Sequence, residues 1–539
     1  MKIGTRTRAL FAGLAVAAAI AAAVAEGSGS DPQANQPQIA GDATSNTTAR
    51  FPTNKQNEPT IAVNPTDASK LIGGSNDEQL QPPCGPGAVR GATTANDCSF
   101  FPDVGTSGVY TSSDGGGTWT NRGLLPGYSD TGGALVSDGD PVIVYGPKPD
   151  GHGGFSFAHG ARAYYANLAS FASGAANGNQ APELVAVSTS NDDGANWSPP
   201  SIAANAGGHV FNDKESIWAD NNPASPYFGR VYVSWSQFRS IPGTNVAIRV
   251  VFSADGGQTW SVPRQVSSAY NNAQRGGRQF SALRTARDGT VYMAWEDGDA
   301  KVGSKQLISV SHDGGSSWSK PSIIAAVDDI RDPIPGSNFR TGSYPNIAVD
   351  QASGAIYATW SDELGGASGR IVVTKSSNGG KTWTTPVAVP TSGEGYAFFQ
   401  GLDVAPSGRI DIAYQAQKAI DPTTYGTGNA MVDSYYVNST DGGITWSAPR
   451  KISTASSDPA ASAQNNLARQ FWGDYNTLVS TDAFAWFIFT DTRDGAGCPS
   501  IDAYQHSLDT GGTVPKPAPP AVCPAQFGNS DLHTAKIAP

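Results

Sequence analysis

The hydrophobic pattern along this chain is one of short apolar runs broken by clusters of Gly, Pro, Asn, Asp and Ser, which predicts strands and tight turns. The clearest unit covers residues 344–350, 355–360, 370–375 and 386–389, four strands called here A to D, and the short connections predict an antiparallel meander. Between strands C and D stands Ser376-Ser377-Asn378-Gly379-Gly380-Lys381-Thr382-Trp383. The same octapeptide pattern occupies residues 112–119, 190–197, 253–260, 311–318 and 439–446.

The chemistry of this repeat is local. Asp114, Asp192, Asp255, Asp313, Asn378 and Asp441 can each accept backbone N–H groups of their own turn. The glycines that follow supply positive φ, and the closing Trp is a large apolar plug. Six acidic-looking boxes therefore read as structural rivets and not as catalytic acids.

Seven A strands open along the chain, at Glu58, Asp140, Glu215, Arg278, Tyr344, Gln400 and Trp472, against six boxes. The seventh unit has an A strand from Tyr475 to Ser480, a B strand at 485–489 and a C strand expected near Ile501 and Tyr504, but no box. A ring needs its last sheet completed, and the Thr-rich segment 43–51 is the expected fourth strand. The expectation is an all-β fold, a single β-propeller of four-stranded antiparallel blades, seven in number with six as the alternative count.

Composition agrees with this picture: 63 Gly, 37 Pro, 12 Trp and 15% charged residues leave little material for long helices. A net charge of −11 without any basic run argues against nucleic acid as partner. Lys2, Arg6 and Arg8 followed by an apolar run from Ala9 to Ala25 read as a secretory signal peptide, with an uncleaved anchor as the competing reading. The expected organisation is signal peptide 1–25, flexible leader 26–50, propeller 51–510 and Pro-rich tail 511–539, in a secreted monomer with no membrane span after cleavage. Four cysteines in an oxidising compartment suggest disulfides, and proximity favours Cys84 with Cys98 and Cys498 with Cys523. His152 and His159 are the only close His pair, so no metal or other cofactor is expected.

With boxes and meanders in place, the chain resembles the Asp-box (BNR-repeat) sialidase-like β-propellers over roughly residues 55 to 510. The resemblance implies an arginine triad on a substrate carboxylate, an acid/base Asp and a Tyr nucleophile helped by a Glu. The nearest string to the family's early Phe-Arg-Ile-Pro motif is Phe238-Arg239-Ser240-Ile241-Pro242, which has an extra Ser and lies in the third unit, so Arg239 is not carried over.

In such a frame the A strands line the axis, and their openings meet on the face opposite the boxes. Arg278, Arg340 and Arg469 precede A strands and are candidates for an anion clamp; the alternative pairs each with a neighbouring acid such as Asp474 or Glu296. Glu215 and Asp140 are the acid/base candidates, and Tyr396 the phenolic nucleophile, with a stacking or core role as its alternative. These residues point to a glycoside hydrolase of sialidase type acting on a terminal anionic sugar at the channel mouth, with a glycan or other carbohydrate as partner. A non-catalytic propeller that binds glycan or protein, and a polysaccharide lyase, remain as alternatives.

Overall fold

The computed structural model describes residues 30–38, 55–78, 106–128, 135–171, 183–205, 210–239, 246–268, 277–298, 303–366, 368–393, 395–464 and 467–539. Within them seven antiparallel sheets succeed one another, six of four strands and one of three. Their A strands are Gln56–Val63, Leu135–Pro149, Phe211–Ala219, Arg278–Thr285, Asn346–Val349, Tyr396–Val404 and Thr477–Ser480. Each packs beside the next and the seventh beside the first, so the sheets are the blades of a closed, seven-bladed β-propeller. The expected all-β class and the count of seven both hold.

The hydrophobic core is divided among the gaps between blades. In one gap Tyr164, Val185 and Val187 of blade 2 face Ile217, Val233 and Trp235 of blade 3, with the box residue Trp260 packed against them. The boxes behave as local chemistry requires: in all six the backbone N–H four residues on donates to the Asp or Asn378 oxygen. The Thr118 hydroxyl and N–H hold the Asp114 carboxyl down at about 2. Each box also rests on the preceding blade. Arg162 of blade 2 donates to Gly256 O at 2.9 Å, and Trp486 of blade 7 donates to Gly115 O at 2.9 Å, which closes the circle.

The seventh blade departs from expectation. Residues Ile501 and Tyr504 lie in a helix, Pro499–Asp509, and not in a strand. Pro499 takes a first-turn position where its missing N–H costs nothing, and Ile501 and Gln505, one turn apart, share the buried side. The third strand is instead Asp531–Ile537, paired along Ala485–Asp491 and drawn from the segment expected to be tail. Residues 31–36 then run beside that strand: Ala34 N donates to Leu532 O at 2.8 Å and Thr534 N to Pro32 O at 3.0 Å. Asp31 pairs with Arg493 at 2.7 Å. Closure from the N-terminal side is thus observed, but through residues 31–36, so the expected leader is docked over this part.

Residues 43–51, the expected signal peptide 1–25, and Cys84 and Cys98 lie outside the described residues. Cys498 and Cys523 are bonded to each other. Among the described residues no helix is long and apolar enough to cross a membrane.

Candidate active site at the centre of the ring

Five of the seven A strands share a backbone irregularity at the end away from the boxes. In blade 1 Asn57 pairs with Asn76 and Thr60 with Gly74, so Glu58 and Pro59 together oppose one residue. Corresponding register shifts occur around Asp140, Lys214, Phe280 and Phe399 in blades 2, 3, 4 and 6. The first bulged residue has positive φ each time: 53° at Glu58, 52° at Asp140 and Lys214, 54° at Phe280 and 50° at Phe399. Left-handed backbone normally goes to glycine, and a larger residue there costs roughly 1–3 kcal/mol. Bulges of this kind re-aim side chains, and here they turn Glu58, Asp140 and Lys214 toward one another at the axis.

Lys214 is the hub of what gathers there. Its Nζ lies 2.8 Å from Asp140 Oδ2, 2.7 Å from Asp474 Oδ2, and 3.8 Å from both Glu58 Oε1 and Asp213 Oδ1. Arg340 grips Asp474 with Nε and Nη2, both at 2.5 Å, and approaches Glu58 at 3.6 Å. Phe280 stacks on Tyr344 with ring centres 3.5 Å apart, and Lys214 sits over the Phe280 ring at 5.3 Å. Five carboxyl groups, those of Glu58, Asp140, Asp213, Glu215 and Asp474, thus face two cations.

The imbalance splits their proton affinities. Burial, then the Asp140 charge, push the Glu58 carboxyl well above the usual range. Burial, only partly offset by Lys214, pushes Asp213 up to about 7. Burial and then Asp140 likewise raise Glu215, neither of whose oxygens finds a partner in another residue. Burial works against Asp140 too, but the Lys214 charge together with the hydrogen bonds from Glu58 and Lys214 outweighs it and holds that carboxyl low. Arg340 and Lys214 do the same for the buried Asp474. Asp140 shares hydrogen bonds with both Glu58 and Asp213, so an ionised carboxylate is flanked by carboxyls that keep their protons.

Glu215 and Asp140 therefore stand together, as do Arg340 and Asp474. The three arginines do not meet on one carboxylate: Arg278 pairs with Asp297 at 3.2 Å, Arg469 with Asp332 at 3.0 Å, and Arg340 with Asp474. Tyr396 stands apart from the charged cluster, buried among Ile330, Phe339, Phe398 and Trp472. The tyrosines that do adjoin the acids are Tyr344 and Tyr475; burial, then Asp474 and Asp140 respectively, raise both phenols well above their usual range. Lys214 was the residue that sequence reasoning missed. Between Asp213 and Glu215 it reads as part of a solvated charge run, and only the bulge turns it inward.

Residues 167–414 match a family model described as a BNR repeat-like domain. No curated protein matches the chain. Solved structures similar to it include the Hadza microbial sialidase Hz136, 17% identical, with 74% of this chain and 72% of that one covered at a TM-score of 0.39. The NanB sialidase from Streptococcus pneumoniae is 12% identical, covering 71% and 67% at a TM-score of 0.38. The α-L-arabinofuranosidase ARB93A from Fusarium graminearum is 14% identical, covering 70% and 89% at a TM-score of 0.38.

Proposed function

We propose that this BNR-repeat, sialidase-like β-propeller is an exported glycoside hydrolase whose reaction runs at the centre of the ring on Asp213 and Asp140. The observation that carries this reading is the contact between a carboxyl that holds its proton to about pH 7, Asp213, and an ionised one, Asp140, fixed by Lys214. Cleavage of a glycosidic bond calls for such a division of labour. One group protonates the departing oxygen while the ionised carboxylate stabilises the positive charge that develops on the sugar; hydrogen-bonded to each other, the two stand too close to flank the sugar carbon as acid and nucleophile. The Asp213 side chain is 19% exposed against 10% for Asp140, which puts the proton donor on the solvent side of the pair. Export is supported by the basic-then-apolar start of the chain and by the Cys498–Cys523 bond.

The substrate in this reading is an uncharged sugar. An anionic one would need guanidinium groups to spare, yet Arg278, Arg340 and Arg469 are each engaged by an internal acid, and the surrounding carboxyls outnumber the cations. A panel of aryl glycosides, neutral and anionic, tests both points. Turnover of a neutral member that is lost in Asp213→Asn is expected. No turnover on any member overturns the hydrolase reading, and turnover confined to sialosides or uronides overturns the choice of sugar.

One observation favours a second reading, a non-catalytic propeller that binds glycan or protein. Lys214 ties blade 3 to blades 1, 2 and 7, and Arg340 ties blade 5 to blades 7 and 1, so the same contacts stitch the ring. Under it, Asp213→Asn leaves ligand binding unchanged and Lys214→Met loses stability alone.

A further inference from the structure

Arg239 takes no part in the central cluster. It follows directly on the second strand of blade 3, Val231–Phe238, and its side chain reaches away from the axis. Nη2 donates to Gln265 Oε1 on the outermost strand of the blade at 2.7 Å, and Nε to Gln237 Oε1 at 3.3 Å. Arg249, on the third strand Val246–Ser253, donates from Nε to the same Gln237 oxygen at 3.1 Å. Two guanidiniums thus stand side by side on one neutral acceptor. Burial, then the Arg239 charge, pull Arg249 below its ordinary pKa, and no acid offsets them. In a chain of net charge −11, where Arg278, Arg340 and Arg493 each hold a carboxylate, such a pair calls for an anion from outside.

The site offers donors and has no acceptor to spare. The arginines take both glutamine oxygens, and the glutamine nitrogens donate elsewhere, to Asn212 Oδ1 at 3.3 Å and to Ser267 O at 2.8 Å. Arg249 Nη1 and Nη2 and Arg239 Nη1 meet no acceptor among the described residues. Gln265 is exposed and the two arginines are half-buried, so a ligand can reach them from solvent. We propose that Arg239 and Arg249 bind a sulfate group, free or as an ester on a glycan. Sulfate carries no proton at neutral pH and only accepts. Hydrogen phosphate carries one and needs an acceptor that the glutamines no longer offer. A carboxylate has two oxygens and satisfies one guanidinium fork. The third strand lies two strand spacings, roughly 10 Å, from the strand that carries Asp213, so the sulfate site is separate from the uncharged sugar at the axis.

Calorimetric titration of the full chain at pH 8 with sodium sulfate, galactose 6-sulfate and sodium phosphate, at equal ionic strength, tests the assignment. Sulfate or its sugar ester is expected to bind, the tighter of the two naming the source, and phosphate to bind at least about tenfold more weakly. Arg239→Met and Arg249→Met are each expected to weaken the sulfate form at least about tenfold, the scale of a lost charge-assisted hydrogen bond. No binding of either sulfate form, phosphate binding as tight, or equal binding by the variants overturns the proposal. Should Arg249→Met not fold, Arg239→Met decides alone, since Arg239 lies past the end of its strand. The heat is read without turnover, so this result and that of the glycoside panel stand separately.

Discussion

Lys214 and Asp474 come from the third and seventh blades, yet Nζ and Oδ2 lie 2.7 Å apart. The same Asp474 is held by Arg340 from the fifth blade, so one buried carboxylate joins three separate parts of the ring. The centre of this propeller is an ionic keystone as well as a candidate site.

Removing the hub isolates buried charge. Lys214→Met leaves Asp140 and Asp474 without their ammonium partner, and a loss of about 3–5 kcal/mol is expected. The loss is expected to be smaller at pH 5 than at pH 8, because the freed carboxylates regain ordinary or raised pKa values and can then take up protons. Guanidinium unfolding of wild type and variant at the two pH values measures it.

Asp213→Asn keeps the shape of the proposed acid and removes its proton. A fall in kcat/KM of roughly 10² or more is expected with an unchanged circular dichroism spectrum. In the wild type kcat/KM should decline as pH rises through about 7, where Asp213 loses its proton. A profile that stays flat from pH 5 to 9 rules out this residue as the acid.

Stability itself should fall as pH rises. Burial holds Asp213 at about 7 and Glu296 at about 8, where unfolded carboxyls titrate near 4. Between those values the folded chain binds more protons than the unfolded one, so their contribution is complete below about pH 4 and is lost through pH 7 to 8. The melting temperature is expected to drop over that window, and Asp213→Asn combined with Glu296→Gln to flatten the drop.

Truncation after Asn529 removes the third strand of blade 7, Asp531–Ile537, and the partner of residues 31–36. The buried strand Ala485–Asp491 would then present a bare edge. The expected outcome is loss of the full-length chain's elution peak in size-exclusion chromatography, whereas removal of Ala538 and Pro539 alone should change little.

Strands and boxes were legible from sequence because their causes are local. Asp441 and Thr445 bond each other within one turn, and Gly442 and Gly443 take positive φ of 76° and 87° wherever that turn is placed. The helix at Pro499–Asp509 was also written locally, in Pro499 and the spacing of Ile501 and Gln505, but was read as a strand because the seventh blade wanted one. The true strand lies beyond a Pro-rich segment, and no local signal links Leu532 to Thr490, with which it pairs.

The sequence by itself determined a repeated blade and the face on which the A strands begin, since each follows from interactions a few residues apart, and it left seven blades or six for the closed ring to decide. Only the tertiary structure decided which charges meet. Arg278 and Arg469 found acids of their own, Arg340 found Asp474, and Lys214 became the hub. Those choices depend on bulges at Glu58, Asp140 and Lys214 that no glycine announces, and on closing a ring whose first and last blades stand at opposite ends of the chain.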